Sequence, residues 1–254
     1  MSAIGASAQL ILLGNAYELA NAEHVFRALE AVPSLAPQRW GVERGIRDPY
    51  DRSALVRSLA AEPFDVVPRV YRTQAPCKYS MEWFGGETLT TLCFDVRVDQ
   101  GTDDLAEFFA ALSRFAAVLP VDFGHITPEY REQPKETRMK DSGNLSHLSY
   151  YETYGPSCLF PRTYFGSRLI ALMEAGVQRL SVLTPRVKWL ANGSAEVDLV
   201  PAPWSAAPAE LKQAQQAVQP TLVASGIFCD PSLELNVVPG PRWRPPTPAA
   251  GSRA

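Results

Sequence analysis

Leu89-Thr90-Thr91-Leu92-Cys93-Phe94-Asp95-Val96-Arg97-Val98 alternates in character along its length. Leu92, Phe94, Val96 and Val98 fall on one side, and Thr91, Cys93, Asp95 and Arg97 on the other. Successive strand residues point to opposite faces, so this stretch reads as a strand of an antiparallel sheet with one face covered. Toward the N-terminus, Gly85-Gly86 marks a hairpin turn and Tyr79 to Phe84 a preceding strand. Val66 to Tyr71 is an earlier strand, in which Pro68 implies an edge or a strand start. Toward the C-terminus, Leu105, Phe108, Phe109, Leu112, Phe115, Ala116 and Leu119 recur at three- and four-residue steps. That spacing predicts an amphipathic helix over Thr102 to Leu119, laid across the sheet. Thr102 can cap it, with Asp103 and Asp104 where the helix dipole favours negative charge.

The rest of the chain supplies shorter elements. Gln9 to Gly14 reads as a first strand that joins the main sheet, and Ala20 to Val32 as a helix stopped by Pro33. Asp51 to Ala61 is a second helix with Asp51 as its cap. Phe123 to Ile126 is a short strand, and the charged run from Glu129 to Ser142 a solvated loop. Gly166 to Ala175 is helical. Strands at Val187 to Leu190 and Ala195 to Val200 flank Asn192-Gly193, a strong hairpin signal. A helix over Ala207 to Val223 starts with Pro208, and Ile227 to Val238 supplies one or two last strands. The expectation is an α+β fold, an antiparallel or mixed sheet with amphipathic helices packed on one face, with a two-lobed arrangement left open. Residues 1–238 form a single domain in this reading. Residues 239–254 hold five prolines and little core material, which predicts a disordered tail.

Composition narrows the function classes. The chain has 254 residues, 46% apolar and 20% charged, an ordinary globular balance that needs no metal or disulfide to fold. A net charge of −3 with no basic stripe argues against direct nucleic-acid binding. The four cysteines, Cys77, Cys93, Cys158 and Cys229, lack metal-ligand spacing and read as reduced thiols. Ile11-Leu12-Leu13 is too short for an export signal, and no stretch approaches the ~20 apolar residues of a membrane span. The cytoplasm is the expected location.

Motifs for catalysis are missing: there is no GxGxxG, HExxH or GxSxG. Three histidines are present, His24, His125 and His147. A Cys158–His147 pair oriented by Glu152 or Asp141 would be the starting point for a motif-free hydrolase or transferase. An acid-lined metal site at Asp95, Asp99, Asp103 and Asp104 is conceivable, but a solvated strand followed by helix N-terminal charges explains these residues better. No catalytic residue, metal or cofactor is therefore assigned. Tyr150 to Phe165 stands out, with six aromatics in sixteen residues. Read from composition, these aromatics best seal one end of the core. Tyr, Phe and Arg on a rigid loop also suit a protein interface, which makes Tyr151, Tyr154, Phe160, Arg162 and Tyr164 candidate anchors, with Trp83 and Trp204 behind them.

Arg162-Thr163-Tyr164-Phe165-Gly166-Ser167-Arg168-Leu169 resembles the R-x-Y-F-G-x-R-L start of a helix in bacterial toxin-immunity proteins. The family it resembles is Immunity protein 52 and its relatives among type VI secretion immunity proteins. Val197-Asp198-Leu199-Val200-Pro201, then Trp204 and the helix begun by Pro208, add to the likeness, which spans residues 65–230 in outline. The resemblance implies an α+β protein that protects its producer by binding a cognate toxin and occluding it, without catalysis. It carries over no catalytic residues. The mildly acidic balance suits a basic toxin.

Overall fold

The computed structural model describes residues 3–42, 47–61, 68–99, 102–131, 134, 137, 148–173, 186–229 and 237–247. Its elements run β1 (Ala3–Leu13), α1 (Leu19–Glu30), β2 (Arg39–Gly41), β3 (Asp48–Pro49), α2 (Arg52–Ala61), β4 (Arg69–Arg72), β5 (Lys78–Gly85) and β6 (Leu89–Arg97). They continue with α3 (Thr102–Ala116), β7 (Val121–Tyr130), α4 (Leu148–Tyr154), β8 (Arg162–Phe165), α5 (Ser167–Met173), β9 (Val187–Trp189), β10 (Ala195–Asp198) and α6 (Pro208–Ser225). The ten strands form one antiparallel sheet in the order β3-β2-β4-β5-β6-β1-β7-β8-β10-β9. The fold is α+β, as the alternation of Leu89 to Val98 implies.

β1 sits at the centre because it is the most continuously apolar strand. It pairs with β6, setting Ala8 beside Phe94, and with β7, setting Ala8 beside Ile126. Ala6, Ala8, Leu10 and Leu12 point into one core, joined by Leu92, Phe94 and Val96 of β6 and by the apolar sides of α1, α2 and α3. Ile11 points the other way, into a second core with Phe123, Phe165 and the apolar sides of α4, α5 and α6. Helices therefore flank both faces, where the sequence suggests one. β1 shows why: Leu10 and Leu12 leave no doubt about one face, and Ile11 already carries the other.

Local chemistry explains the element ends. Asp51 caps α2, its Oδ1 accepting the Ala54 N–H at 3.0 Å. Gly226 closes α6 in the left-handed region, φ +80°, and its N–H reaches the Val223 carbonyl. The aromatic segment contains most of α4 and all of β8. Ile227, Phe228 and Cys229 are buried without forming a strand, and residues 230–236 of the strands expected there lie outside the described residues. The proline-rich end is packed rather than disordered as far as it is described: Trp243 is 4% exposed, its ring centroid 5.2 Å from that of Tyr151, and its indole N–H donates to the Glu152 carbonyl. The charged run from Glu129 lies mostly outside the described residues, although β7 extends to Tyr130.

Phe109 joins the halves of the molecule. It is fully buried on α3, with the Trp204 ring centroid 5.7 Å away and the Arg162 guanidinium 5.2 Å from its ring. Phe109→Ala is expected to cost about 3–5 kcal/mol, read as a fall in melting temperature, and Phe109→Asp to abolish soluble expression. A variant melting within a degree or two of the parent would show that this contact is dispensable.

Candidate functional site

The motif residues Arg162 to Leu169 are structural. β8 alternates, so Arg162 and Tyr164 face α3 while Thr163 and Phe165 face the second core. Arg162 makes a bidentate pair with Asp198, its register partner on β10, with Nε to Oδ1 at 2.6 Å and Nη2 to Oδ2 at 2.7 Å. Its Nη1 donates to the Phe109 carbonyl and to Ser113 Oγ, both at 3.0 Å. Burial works against the Arg162 charge, but the hydrogen bond to Asp198 and the nearby carboxylates hold its pKa above the usual value. Arg168 repeats the device on the other face. It donates to both oxygens of the fully buried Asp122, which also accepts the Tyr151 hydroxyl at 2.6 Å, while Trp243 covers the guanidinium at 5.0 Å. Gly166 is required between them, since a Cβ there would lie 1.9 Å from the Val121 carbonyl oxygen.

These contacts bear on the anchors expected from sequence. Tyr151, Phe160, Arg162, Tyr164 and Trp83 are 1%, 5%, 6%, 0% and 2% exposed. All five are buried, which fits the reading that the segment seals the core; as partner contacts they stay a proposal, and Arg162 also lines an open cleft. Phe160 stacks on His125 with ring centroids 3.8 Å apart, and Trp83 stacks on Phe26 while its indole N–H donates to the Ala16 carbonyl. Tyr154 and Trp204 remain partly exposed.

Burial holds two thiols and one histidine in their neutral forms. Burial pushes the Cys77 and Cys93 thiols up to about 12 and His125 down to about 3. Cys158 is 2% exposed, and its proposed partners His147 and Asp141 lie outside the described residues. Asp99 pairs with Lys78, and Asp104 accepts the Asp99 N–H. Among the described residues, no three His, Cys, Asp or Glu side chains converge as metal ligands, and no helix is long and apolar enough to cross a membrane.

Solvent-open concavities among the described residues include a groove and a cleft. A groove of about 730 Å³ lies over β4, β5 and β6, where Arg69, Lys78, Glu82 and Asp99 are joined in ion pairs. A cleft of about 440 Å³ lies between α3, the β9–β10 hairpin and Trp204. Ala106, Ala110 and Ala117 line one side of it, with Trp189 and Trp204 beside them and Glu196 and Arg162 at depth. The Asn192 amide fixes the hairpin, donating to the carbonyls of Ala116 and Leu119 at 2.8 and 2.7 Å and so satisfying the open end of α3. Trp189 is 54% exposed. This cleft is the candidate functional site. Only Arg162 and Trp204 of the residues named from sequence line it; Trp189 and Glu196 were missed. The Asn192-Gly193 hairpin signal located Trp189, but its exposure beside α3 depends on packing.

No family model matches the chain, and no curated protein matches it. Among solved structures, the fold is similar to that of the Pseudomonas aeruginosa T6SS protein PA0821. The TM-score is 0.54 at 12% identity, covering 85% of this chain and 73% of that one. The likeness is one of fold. The resemblance to the Immunity protein 52 family finds no family-level match, and its motif residues have the structural roles described above.

Two outcomes follow from these environments. Arg162→Met or Asp198→Asn alone is expected to cost about 3–5 kcal/mol in urea unfolding, because each strands a buried charge or its partner. The double variant Arg162→Met/Asp198→Asn should lose clearly less than the sum of the two single losses; full additivity would refute the coupling. His125 binds its proton in the unfolded chain below about pH 6.5 but in the folded protein only near about 3. Its contribution is therefore complete above about pH 6.5 and is lost as pH falls toward about 3. His125→Phe should flatten the decline in urea midpoint between about pH 7 and about pH 5, and an unchanged slope would assign the acid sensitivity elsewhere.

Proposed function

We propose that this protein is an immunity protein of a type VI secretion setting, acting in the cytoplasm by binding a cognate toxin and occluding it without catalysis. The observation that carries this reading is the cleft beside α3. Trp189 stands 54% exposed on a hairpin that the Asn192 hydrogen bonds fix against a rigid helix, with part-exposed Trp204 beside the same cleft. Tryptophan buries a large area at low entropic cost and dominates interface hot spots. A scaffold that holds such residues in place, while the Cys77 and Cys93 thiols and His125 stay neutral, suits recognition by shape better than bond-making. The setting is supported by the similar fold of a protein named as a T6SS protein. The interface therefore centres on Trp189 and Trp204, and the aromatic segment from Tyr151 to Tyr164 supports it from inside.

Co-purification with the product of the gene immediately upstream, together with survival of cells expressing both, tests the reading. A stable complex and rescue are expected. Trp189→Ala should weaken the complex by about 2 kcal/mol or more, the hot-spot range, at an unchanged melting temperature. Two folded proteins that neither bind nor rescue would remove the proposal.

A further inference from the structure

Glu196 lies at the deep end of the cleft. It is 5% exposed; its Oε1 lies 3.5 Å from Arg162 Nη2, and its Oε2 is buried without a hydrogen-bond partner. Four of the five Arg162 N–H groups go to Asp198, Phe109 and Ser113, and the fifth, the second N–H of Nη2, makes no hydrogen bond with Oε2. Arg162, Asp198 and Glu196 together carry one positive and two negative charges. The surplus negative charge thus sits on a carboxylate that lines a solvent-open cleft and still accepts a donor. A buried acceptor left in this state is costly, more so when charged.

The walls match the same ligand. Trp204 already faces one guanidinium, with Arg162 Cζ 5.9 Å from its ring centroid, and indole rings are the best cation-binding aromatics. The alanines of α3 give room without offering competing charge. Of the other cations at the cleft, Arg114 is paired with Glu107 at 2.7 Å. Lys188 is exposed and stands opposite Glu196 in the β9–β10 register, with no ion pair among the described residues.

We infer that the cleft receives a cationic side chain of the partner protein, an arginine before a lysine, with its donors on Glu196 Oε2 and its flat face against Trp189 and Trp204. A planar, weakly hydrated guanidinium fits a stacked and buried carboxylate site better than a compact ammonium. The inference rests on the toxin-binding reading of the same cleft and gives that partner a basic contact point. Lys188 is then a local competitor that the incoming cation displaces.

The test uses capped tripeptides Gly-Arg-Gly, Gly-Lys-Gly and Gly-Glu-Gly, followed by the indole N–H resonances of Trp189 and Trp204. Gly-Arg-Gly should shift both signals saturably, Gly-Lys-Gly more weakly, and Gly-Glu-Gly not at all. Glu196→Gln should weaken Gly-Arg-Gly binding by about tenfold or more, and Lys188→Glu, an exposed change that leaves the core intact, should tighten it. Equal binding of Gly-Glu-Gly, or Gly-Arg-Gly binding indifferent to Glu196→Gln, overturns the inference. Should Glu196→Gln not fold, Lys188→Glu decides alone, and unchanged or weaker binding overturns it. The peptide result does not depend on the toxin. Peptide binding without any toxin complex would retain the cation site and remove the toxin as its source, whereas a toxin complex with no peptide binding would do the reverse.

Discussion

Two arginines brought inside the protein must be neutralised there, and much of the second half of the chain is arranged around that requirement. Taking a guanidinium out of water is affordable only when a carboxylate meets it with good geometry and the remaining donors are also placed. Arg162 meets Asp198 on the α3 side of the sheet, and Arg168 meets Asp122 on the other side. The two are six positions apart, separated by a strand end and the glycine that lets the chain pass the Val121 carbonyl. β7, β8, β10, α3, α5 and the segment bearing Trp243 are all tied to one arginine or the other. A pattern that could be taken for a recognition motif is thus the point where two cores are fastened to one sheet.

The candidate site grows out of the same arrangement. The pairing of β8 with β10 sets Arg162 beside Asp198, and the next inward-facing residue of β10 is Glu196, opposite Tyr164. Glu196 inherits what Asp198 leaves over, a distant approach to Arg162 and one oxygen unserved. Asn192, by closing the end of α3, keeps the hairpin close enough for Trp189 to border the cleft without being buried. A stable pair at depth and an incomplete one above it yield a surface that is rigid and chemically biased at once.

Periodicity explains what could be read from the sequence. Leu92, Phe94 and Val96, and the repeat from Leu105 to Leu119, declare a sheet face and a helix side because each pattern repeats within a single element. Asp51 and Asn192-Gly193 were equally legible, since caps and tight turns are local. The second core was not, because β8 and β10 have four residues each, too few to display a period, and their partners are distant in sequence. Tyr151 illustrates the difficulty: a tyrosine on an aromatic segment looks the same whether it faces a partner or Asp122, 29 positions earlier. Trp243 was hidden for the opposite reason, since prolines around it suggest a solvated tail while a single indole provides the anchor. Glu196 had no signal of its own, as an unserved oxygen becomes apparent only once Arg162 and Asp198 are paired.

The central place of β1 bears on how the chain matures. Its eleven residues are made before either neighbour, and they wait for β6 on one edge and β7 on the other. During synthesis the most apolar strand is therefore exposed along both edges, the form in which strands recruit foreign ones. Contacts between such remote partners also form slowly. Early α1 and α2 can shelter the side bearing Leu10 and Leu12, but nothing made before β6 and β7 can shelter the backbone. A nascent chain of this design depends on speed of elongation, or on a holding chaperone, for its first strand to reach the middle of the finished sheet.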